Sequence, residues 1–327
     1  MLSLYTRAEG VVSTLSLLEE GTLADDAVWI DLFNPTSEEE RAVERALGVE
    51  MPTHEEMREI EVSSRLYHED GAIYMTATVL SKSDTAQPEA TVVTFILVGE
   101  RLVTLRYGEP MPFRTFSSRC QRQQILRTSG EAILMGLLDA VIDRIADLLE
   151  RVGFDIDALS RAVFEPESNG TPASQNGDDF KAMLRRIGRN GDLASKCRES
   201  LVSINRMLTF IAALADLPAR RDIDARLGTL SHDVQSLSDH VNFLSNKVNF
   251  LLDATLGMIN IAQTNIIKIF SVAATVFLPP TLIASIYGMN FEHMPELDWM
   301  IGYPLALVLM VASAVLPYFF FKHKGWL

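Results

Sequence analysis

Two runs near the C-terminal end, Ile269 to Tyr287 and Ile301 to Phe321, hold no charged side chain over 19 and 21 residues. Each is close to the ~20 residues that an α-helix needs to cross a hydrocarbon core of roughly 30 Å. A buried hairpin in a protein core is the competing reading. Two such runs in tandem at the end of a chain favour a membrane-crossing pair, and the rest of the sequence has to be compatible with it.

The flanks set an orientation. Lys247 and Lys268 precede the first run, and Lys322 and Lys324 follow the second. The connection from Ser285 to Pro304 has no Lys or Arg and contains Glu292, Glu296 and Asp298. Basic flanks stay on the cytoplasmic side, so both termini are expected inside and the acidic loop outside. Trp299, Tyr303, Tyr318 and Trp326 fall near the span ends, where an interfacial aromatic belt places them. The opening "MLSLYTRAEG" lacks the basic and apolar regions of a secretory signal. Cys120 and Cys197 stand apart with no CxxC spacing, as in a domain kept in a reducing compartment.

The segment before the spans is long enough for a folded domain. "AVWIDL", "AIYMTATVL", "TVVTFILV" and "RLVTLRY" read as strands, and "SKSDTAQPEA" as the turn-rich loop between two of them. "TSEEERAVERALG" has the start and stop signals of a helix, with Thr36 or Ser37 as N-cap and Gly48 at the C-terminal end. From Gly130 onward three long helices are expected, with breaks at "EPESNGTPASQNGDD" and "LPARRD". In the last of them, Leu230, Val234, Leu237, Val241, Leu244, Val248, Leu251, Thr255 and Met258 step by alternating fours and threes, a coiled-coil-like seam leading toward the first span. The fold class is therefore an α+β membrane protein. It divides into a cytoplasmic α/β domain (1–120), long cytoplasmic helices (121–265) and a transmembrane hairpin (266–327).

Acidic residues outnumber basic ones, 43 to 29, for a net charge of −14. Such a surface gathers cations and opposes nucleic acid as a partner, since phosphate backbones need basic patches. No GxxxxGK[ST] loop, GxGxxG turn or HExxH helix occurs, so an enzyme reading has no motif behind it.

The first span is more polar than an anchor requires. Counting back from Gly288 by alternating three and four residues gives Ser285, Thr281, Leu278, Ala274, Ser271, Ile267, Thr264, Asn260, Gly257, Asp253, Phe250 and Asn246. One face thus collects most of the small and hydroxylated residues. Two explanations stay open on these residues alone. Small and hydroxyl side chains let transmembrane helices pack closely. The same stripe could instead wall a water-filled path, with Asp253 at its mouth, provided that several copies surround an axis. Pro279 and Pro280, near mid-span, remove backbone donors under either explanation.

The first span ends at Tyr287 and Gly288, so its unpaired carbonyls and negative dipole end face the external loop. Gly288 can adopt the left-handed conformation that stops a helix, and Asn290 offers an amide oxygen beyond it. A ring of such oxygens suits a hydrated divalent ion. Magnesium fits because it sheds water reluctantly, whereas a loop with no thiolate and one histidine, His293, offers little to softer metals.

"YGMNF", followed by "MPEL" and "GYP", then a second span with a basic tail and "WL", resembles the CorA magnesium transporters; "DAVWIDL" and the long-helix layout extend the likeness more weakly along the chain. The resemblance implies a homopentamer in the plasma (inner) membrane, with a funnel-shaped cytoplasmic domain and the first span lining the pore. It makes Gly288, Met289 and Asn290 the external selectivity ring and puts Thr281 and Leu278 deeper. Ile267 and Phe270 fall at its hydrophobic constriction, and Asp253 near the cytoplasmic mouth. It also implies Mg2+ as substrate, with Co2+ or Ni2+ as secondary ions, and a gate regulated by intracellular Mg2+. Asp84, Glu89, Asp222, Asp224 and Asp233 are the candidates for that regulatory site. The alternatives are a Zn2+ transporter of the related branch, which usually has Ile where Met289 stands, and a membrane-anchored signalling or scaffold protein.

Overall fold

The computed structural model describes residues 1–6, 10–12, 27–85, 87–123, 129–164, 177–214, 220–290, 294–295 and 299–325. They form two compact units, one from Met1–Ser174 with Lys181–Leu251, the other from Gln175–Phe180 with Leu252–Leu327.

The first unit is built on a seven-stranded sheet of order β2-β1-β3-β7-β6-β5-β4. The four strands expected from sequence are β3 (Ala27–Phe33), β5 (Ala72–Ser81), β6 (Glu89–Val98) and β7 (Arg101–Arg106). Three more were not read from the sequence: β1 (Leu2–Thr6), β2 (Gly10–Val12) and β4 (Leu66–Glu69). They are five, three and four residues long, and β2 and β4 lie at the sheet edges, where the alternation signal is short. All pairings are antiparallel except β3 with β7, which run parallel.

Both sheet faces are covered, as the period-two alternation requires. Ile30, Leu32, Ile96, Val103 and Leu105 face one core with Val43 and Met57, from α1 (Ser37–Leu47) and α2 (His54–Met57). Thr36 caps α1 in a capping box with Glu39, and Gly48 closes it at φ 69°. The next helical turn, α3 (Val62–Arg65), leads into β4.

The second core is larger. Trp29, Met75, Phe95 and Leu102 join residues of α4 (Met111–Gln123), α5 (Gly130–Phe164), α6 (Gly177–Ala213) and α7 (Arg220–Tyr287). Here α5 starts hard against the sheet: a Cβ on Gly130 would lie 2.5 Å from the Arg101 carbonyl carbon and 2.6 Å from Leu102 N, so only glycine fits. The expected seam on α7 is the buried one. Leu230, Val234, Val241, Leu244, Val248, Leu251 and Thr255 are buried and Leu237 is partly so.

Strand β5 outruns β4, whose pairing ends at Leu66 with Met75. Its freed edge is covered by α6: Ser203 Oγ accepts from Thr78 N at 2.9 Å, and Ser200 Oγ donates to Thr78 O at 2.7 Å. Two serines thus complete a ladder that would otherwise present open backbone groups. The loop after β5 is held by α5, where Arg144 donates to Ser83 Oγ and Arg151 to Ser83 O at 2.7 Å.

The second unit contains the C-terminal part of α7 and α8 (Gly302–His323). Both helices are long and apolar enough to cross a membrane. Their apolar side chains are widely exposed: Phe270 and Phe277 at 70%, Leu316 at 70% and Ile267 at 64%. A surface of that extent in water would be a large exposed apolar patch; lipid or further copies are the surroundings that suit it.

Candidate ion pathway

The stripe lies on one continuous helix, so the backbone alone fixes its line. Asp253, Asn260, Thr264, Ile267, Ser271, Ala274, Leu278, Thr281 and Ser285 are exposed, as is Phe270 beside them, and Gly257 is half-buried. The covered positions follow a different face. Val272 is buried and Val276, Pro279, Ile283 and Tyr287 are half-buried on α7, while Gly302, Ala306, Met310, Ser313 and Pro317 lose exposure on α8. Within this chain the stripe is therefore not the surface that packs.

Its threonines are satisfied on their own helix. Thr264 Oγ1 donates to Asn260 O at 2.8 Å, and Thr281 Oγ1 to Phe277 O at 2.7 Å. A hydroxyl whose proton is committed backward leaves its oxygen lone pair outward, as an acceptor for water or a cation. The helix runs through Pro279 and Pro280. Because proline has no N–H, the carbonyls of Thr275 and Val276 lack the amide that residues four further on would supply. In a bilayer such acceptors are tolerated where protein or water reaches them. Asp253 makes no ion pair among the described residues.

The helix end differs from expectation in one respect. Gly288 is not among the positive-φ glycines, so it does not stop the helix in a left-handed conformation. Its N–H donates to Ala284 O at 2.9 Å, and Met289 N donates to Ile286 O at 3.3 Å, a tightening last turn. Glycine is favoured there by crowding, since a Cβ would sit 3.0 Å from Ala284 O. Met289 and Asn290 are exposed just beyond. Glu292, Glu296 and Asp298, like His293 and Trp326, lie outside the described residues; Trp299 and Tyr303 are exposed at 59% and 76%.

Among the described residues, the candidates for an internal magnesium site are not gathered into a cluster within one chain. Asp84 is engaged by Arg144, and Glu89 by Lys82 at 2.8 Å. Asp224 and Asp233 are on α7, with His232 Nδ1 3.8 Å from Asp233 Oδ1, and the side chain of Asp222 lies outside the described residues. No group of three or more potential metal ligands occurs among the described residues. A row that sequence reading missed is Asp139, Asp143 and Asp147 on α5. Burial, then the charge of Asp139, pushes the Asp143 carboxyl up, with Asp147 and Asp233 adding to it and Arg119 opposing. The four-residue spacing of the three acids was visible in the sequence; the approach of Asp233 from α7 was not.

A family model described as CorA-like Mg2+ transporter protein matches residues 24–323. The magnesium transport protein CorA of Yersinia pseudotuberculosis is 37% identical over 327 residues, and that of Escherichia coli K12 is 36% identical over 327, each alignment covering all of both chains. Among solved structures, the CorA magnesium transporter of Methanocaldococcus jannaschii superposes with a TM-score of 0.73 at 16% identity, covering 100% of this chain and 98% of that one. Full-length CmaX gives 0.65 at 14% identity, over 99% and 97%. With a family match across residues 24–323 and curated relatives aligned end to end, this chain belongs to the CorA family.

Proposed function

We propose that this chain is the subunit of a gated, channel-type Mg2+ transporter of the plasma (inner) membrane. Five copies, each with residues 1–265 in the cytoplasm and 266–327 in the bilayer, turn the α7 stripe toward a common axis. Hydrated Mg2+ enters down its electrochemical gradient, with Co2+ or Ni2+ as secondary ions. Gly288, Met289 and Asn290 ring the external mouth, where the helix dipole and amide oxygens favour a cation that keeps its water. Glu292, Glu296 and Asp298 raise the local cation concentration outside it. Ile267 and Phe270 form a constriction that closes by dewetting. Intracellular Mg2+ acts as regulatory ligand between neighbouring copies, with Asp84, Glu89, Asp222, Asp224 and Asp233 as the acids to test.

The observation that carries this reading is the exposed stripe: a line of small, hydroxylated and amide side chains on a membrane-length helix, off the face that packs. An anchor has no use for it. The names of the full-length relatives, magnesium transport proteins, supply the ion.

The test is Mg2+ uptake into proteoliposomes under an inward gradient and negative-inside potential. Uptake by the unmodified protein and its loss in Asn290→Ala are expected. No uptake by the unmodified protein, with the chain correctly inserted, rejects the transporter reading in favour of a tethered scaffold.

A further inference from the structure

In the first unit, an open groove of about 640 Å³ lies between the loop joining β5 to β6 and α6. The Gln87–Glu89 segment makes one wall; Arg185, Arg189, Asp192 and Lys196 make the other. Its volume is in the range of small-molecule sites. The two walls are tied at one end, where Lys196 Nζ donates to Pro88 O at 2.9 Å.

The charges of this groove do not cancel. Asp192 is paired with Lys196 at 2.7 Å and Glu89 with Lys82 at 2.8 Å, so both carboxylates already have a cation. Arg185 and Arg189 have no carboxylate partner among the described residues, whereas their neighbour Arg186 lies 3.6 Å from Asp155. They sit four apart on α6, where like charges repel. A chain with 43 acidic and 29 basic residues nevertheless leaves this pair without a carboxylate partner among the described residues, side by side at a groove. Gly188 stands in the lining beside them, and a Cβ there would meet nothing within 4 Å, so the floor is open.

We propose that this groove binds the phosphate groups of a soluble anion, with Arg185 and Arg189 as the two forks that hold it. Guanidinium groups present paired donors matched to phosphate oxygens, and two forks on consecutive turns suit a diphosphate better than a single phosphate. Among the described residues the lining has no aromatic side chain to stack a base, so recognition is confined to phosphate. Bound there, the anion bridges α6 to the segment already clamped by Arg144, Arg151 and Lys196.

The test is calorimetric titration of the full-length protein in magnesium-free buffer with inorganic phosphate, pyrophosphate and ATP. Pyrophosphate and ATP are expected to bind comparably and phosphate more weakly, with affinity falling as salt rises. Arg185→Gln with Arg189→Gln should weaken pyrophosphate about tenfold or more, the scale of one charge-assisted hydrogen bond lost. Arg186→Gln should leave it unchanged. Three results overturn the proposal: no saturable pyrophosphate binding to several millimolar, equal affinity in the double variant, or binding of ATP alone.

Discussion

Arg106 lies against Asp31 across the parallel pairing of β3 with β7, joined by two parallel hydrogen bonds: Nε to Oδ1 at 3.0 Å and Nη2 to Oδ2 at 2.8 Å. Thr104 Oγ1 also donates to Oδ1 at 2.7 Å and accepts from Trp29 Nε1 at 2.9 Å. Phe33 and Phe113 stack on the guanidinium, 4.4 and 5.0 Å from their centroids. Both charged residues are buried, so each depends on the other to offset lost hydration. Asp31→Leu, which strands the guanidinium, should destabilise the protein by about 3–5 kcal/mol. Arg106→Leu should cost a similar amount, and Asp31→Leu with Arg106→Leu clearly less than the sum. Denaturant unfolding of the three variants checks this; strict additivity would show that the pair is not coupled.

Local patterns were legible where one element decides the outcome. The start of α1, to within Thr36 or Ser37, the α7 seam from Leu230 to Thr255 and both membrane-length helices follow from spacing along a single segment. Contacts between distant segments were not legible. Nothing in "LYHE" marks β4 as an edge strand, and nothing in the α6 sequence marks Ser200 and Ser203 as partners of Thr78, over 120 residues away. The stripe was readable because a helix fixes its own faces. Whether the acids proposed for regulation are free was not, because Asp84 and Glu89 meet Arg144 and Lys82 only after folding.

The β5 edge makes a second prediction, in which the two serines differ. Ser203 supplies an acceptor to Thr78 N–H and Ser200 a donor to Thr78 O. Either change to Ala should cost about 1–3 kcal/mol, because a buried backbone group loses its partner. Hydrogen exchange at the Thr78 amide should speed up more in Ser203→Ala than in Ser200→Ala, beyond the change in global stability. Equal acceleration would mean that the serines act through packing.

A third prediction concerns pH. The Asp143 carboxyl is pushed up by partial loss of hydration and by Asp139, so the folded chain holds that proton more tightly than the unfolded chain does. Ionisation there opposes folding: the penalty is absent below the ordinary carboxylate range and complete above the raised value. Asp143→Asn should therefore stabilise the protein at pH 7 by roughly 0.5 kcal/mol, a small figure because water screens this exposed group. Near pH 3, roughly a unit below the ordinary Asp value, the gain should vanish. Denaturation midpoints at the two pH values decide it, and a gain larger in acid contradicts the sign.

Thr281 and Leu282 are neighbours in sequence but differ in role: Thr281 belongs to the stripe and Leu282 does not, though both are exposed. Thr281→Leu removes an outward oxygen acceptor and narrows the proposed path, so Mg2+ uptake should fall about tenfold or more, the equivalent of ~1.4 kcal/mol in the barrier. Leu282→Val should leave uptake within about twofold, since it alters an apolar surface by one methylene. Comparable losses in both would point to helix packing and away from a cation path.

The proposed gate at Ile267 and Phe270 gives the sharpest contrast, because it predicts gain rather than loss. Ile267 and Phe270 are 64% and 70% exposed and make an apolar interval between Thr264 and Ser271. Water leaves a narrow apolar constriction, and an ion that cannot carry its hydration shell through is stopped without any plug. Ile267→Ser or Phe270→Gly widens and wets that interval, so leak should rise while internal Mg2+ is high and the unmodified protein is closed. Glycine also loosens the helix, by about 1 kcal/mol relative to alanine, so Phe270→Ala is the control that separates backbone from wetting. Leak in Phe270→Ala as well as Phe270→Gly assigns the barrier to the side chain; leak in Phe270→Gly alone assigns it to helix rigidity. If Ile267→Ser and both Phe270 variants stay closed, the constriction lies elsewhere on the stripe, with Leu278 the next apolar position toward Asn290.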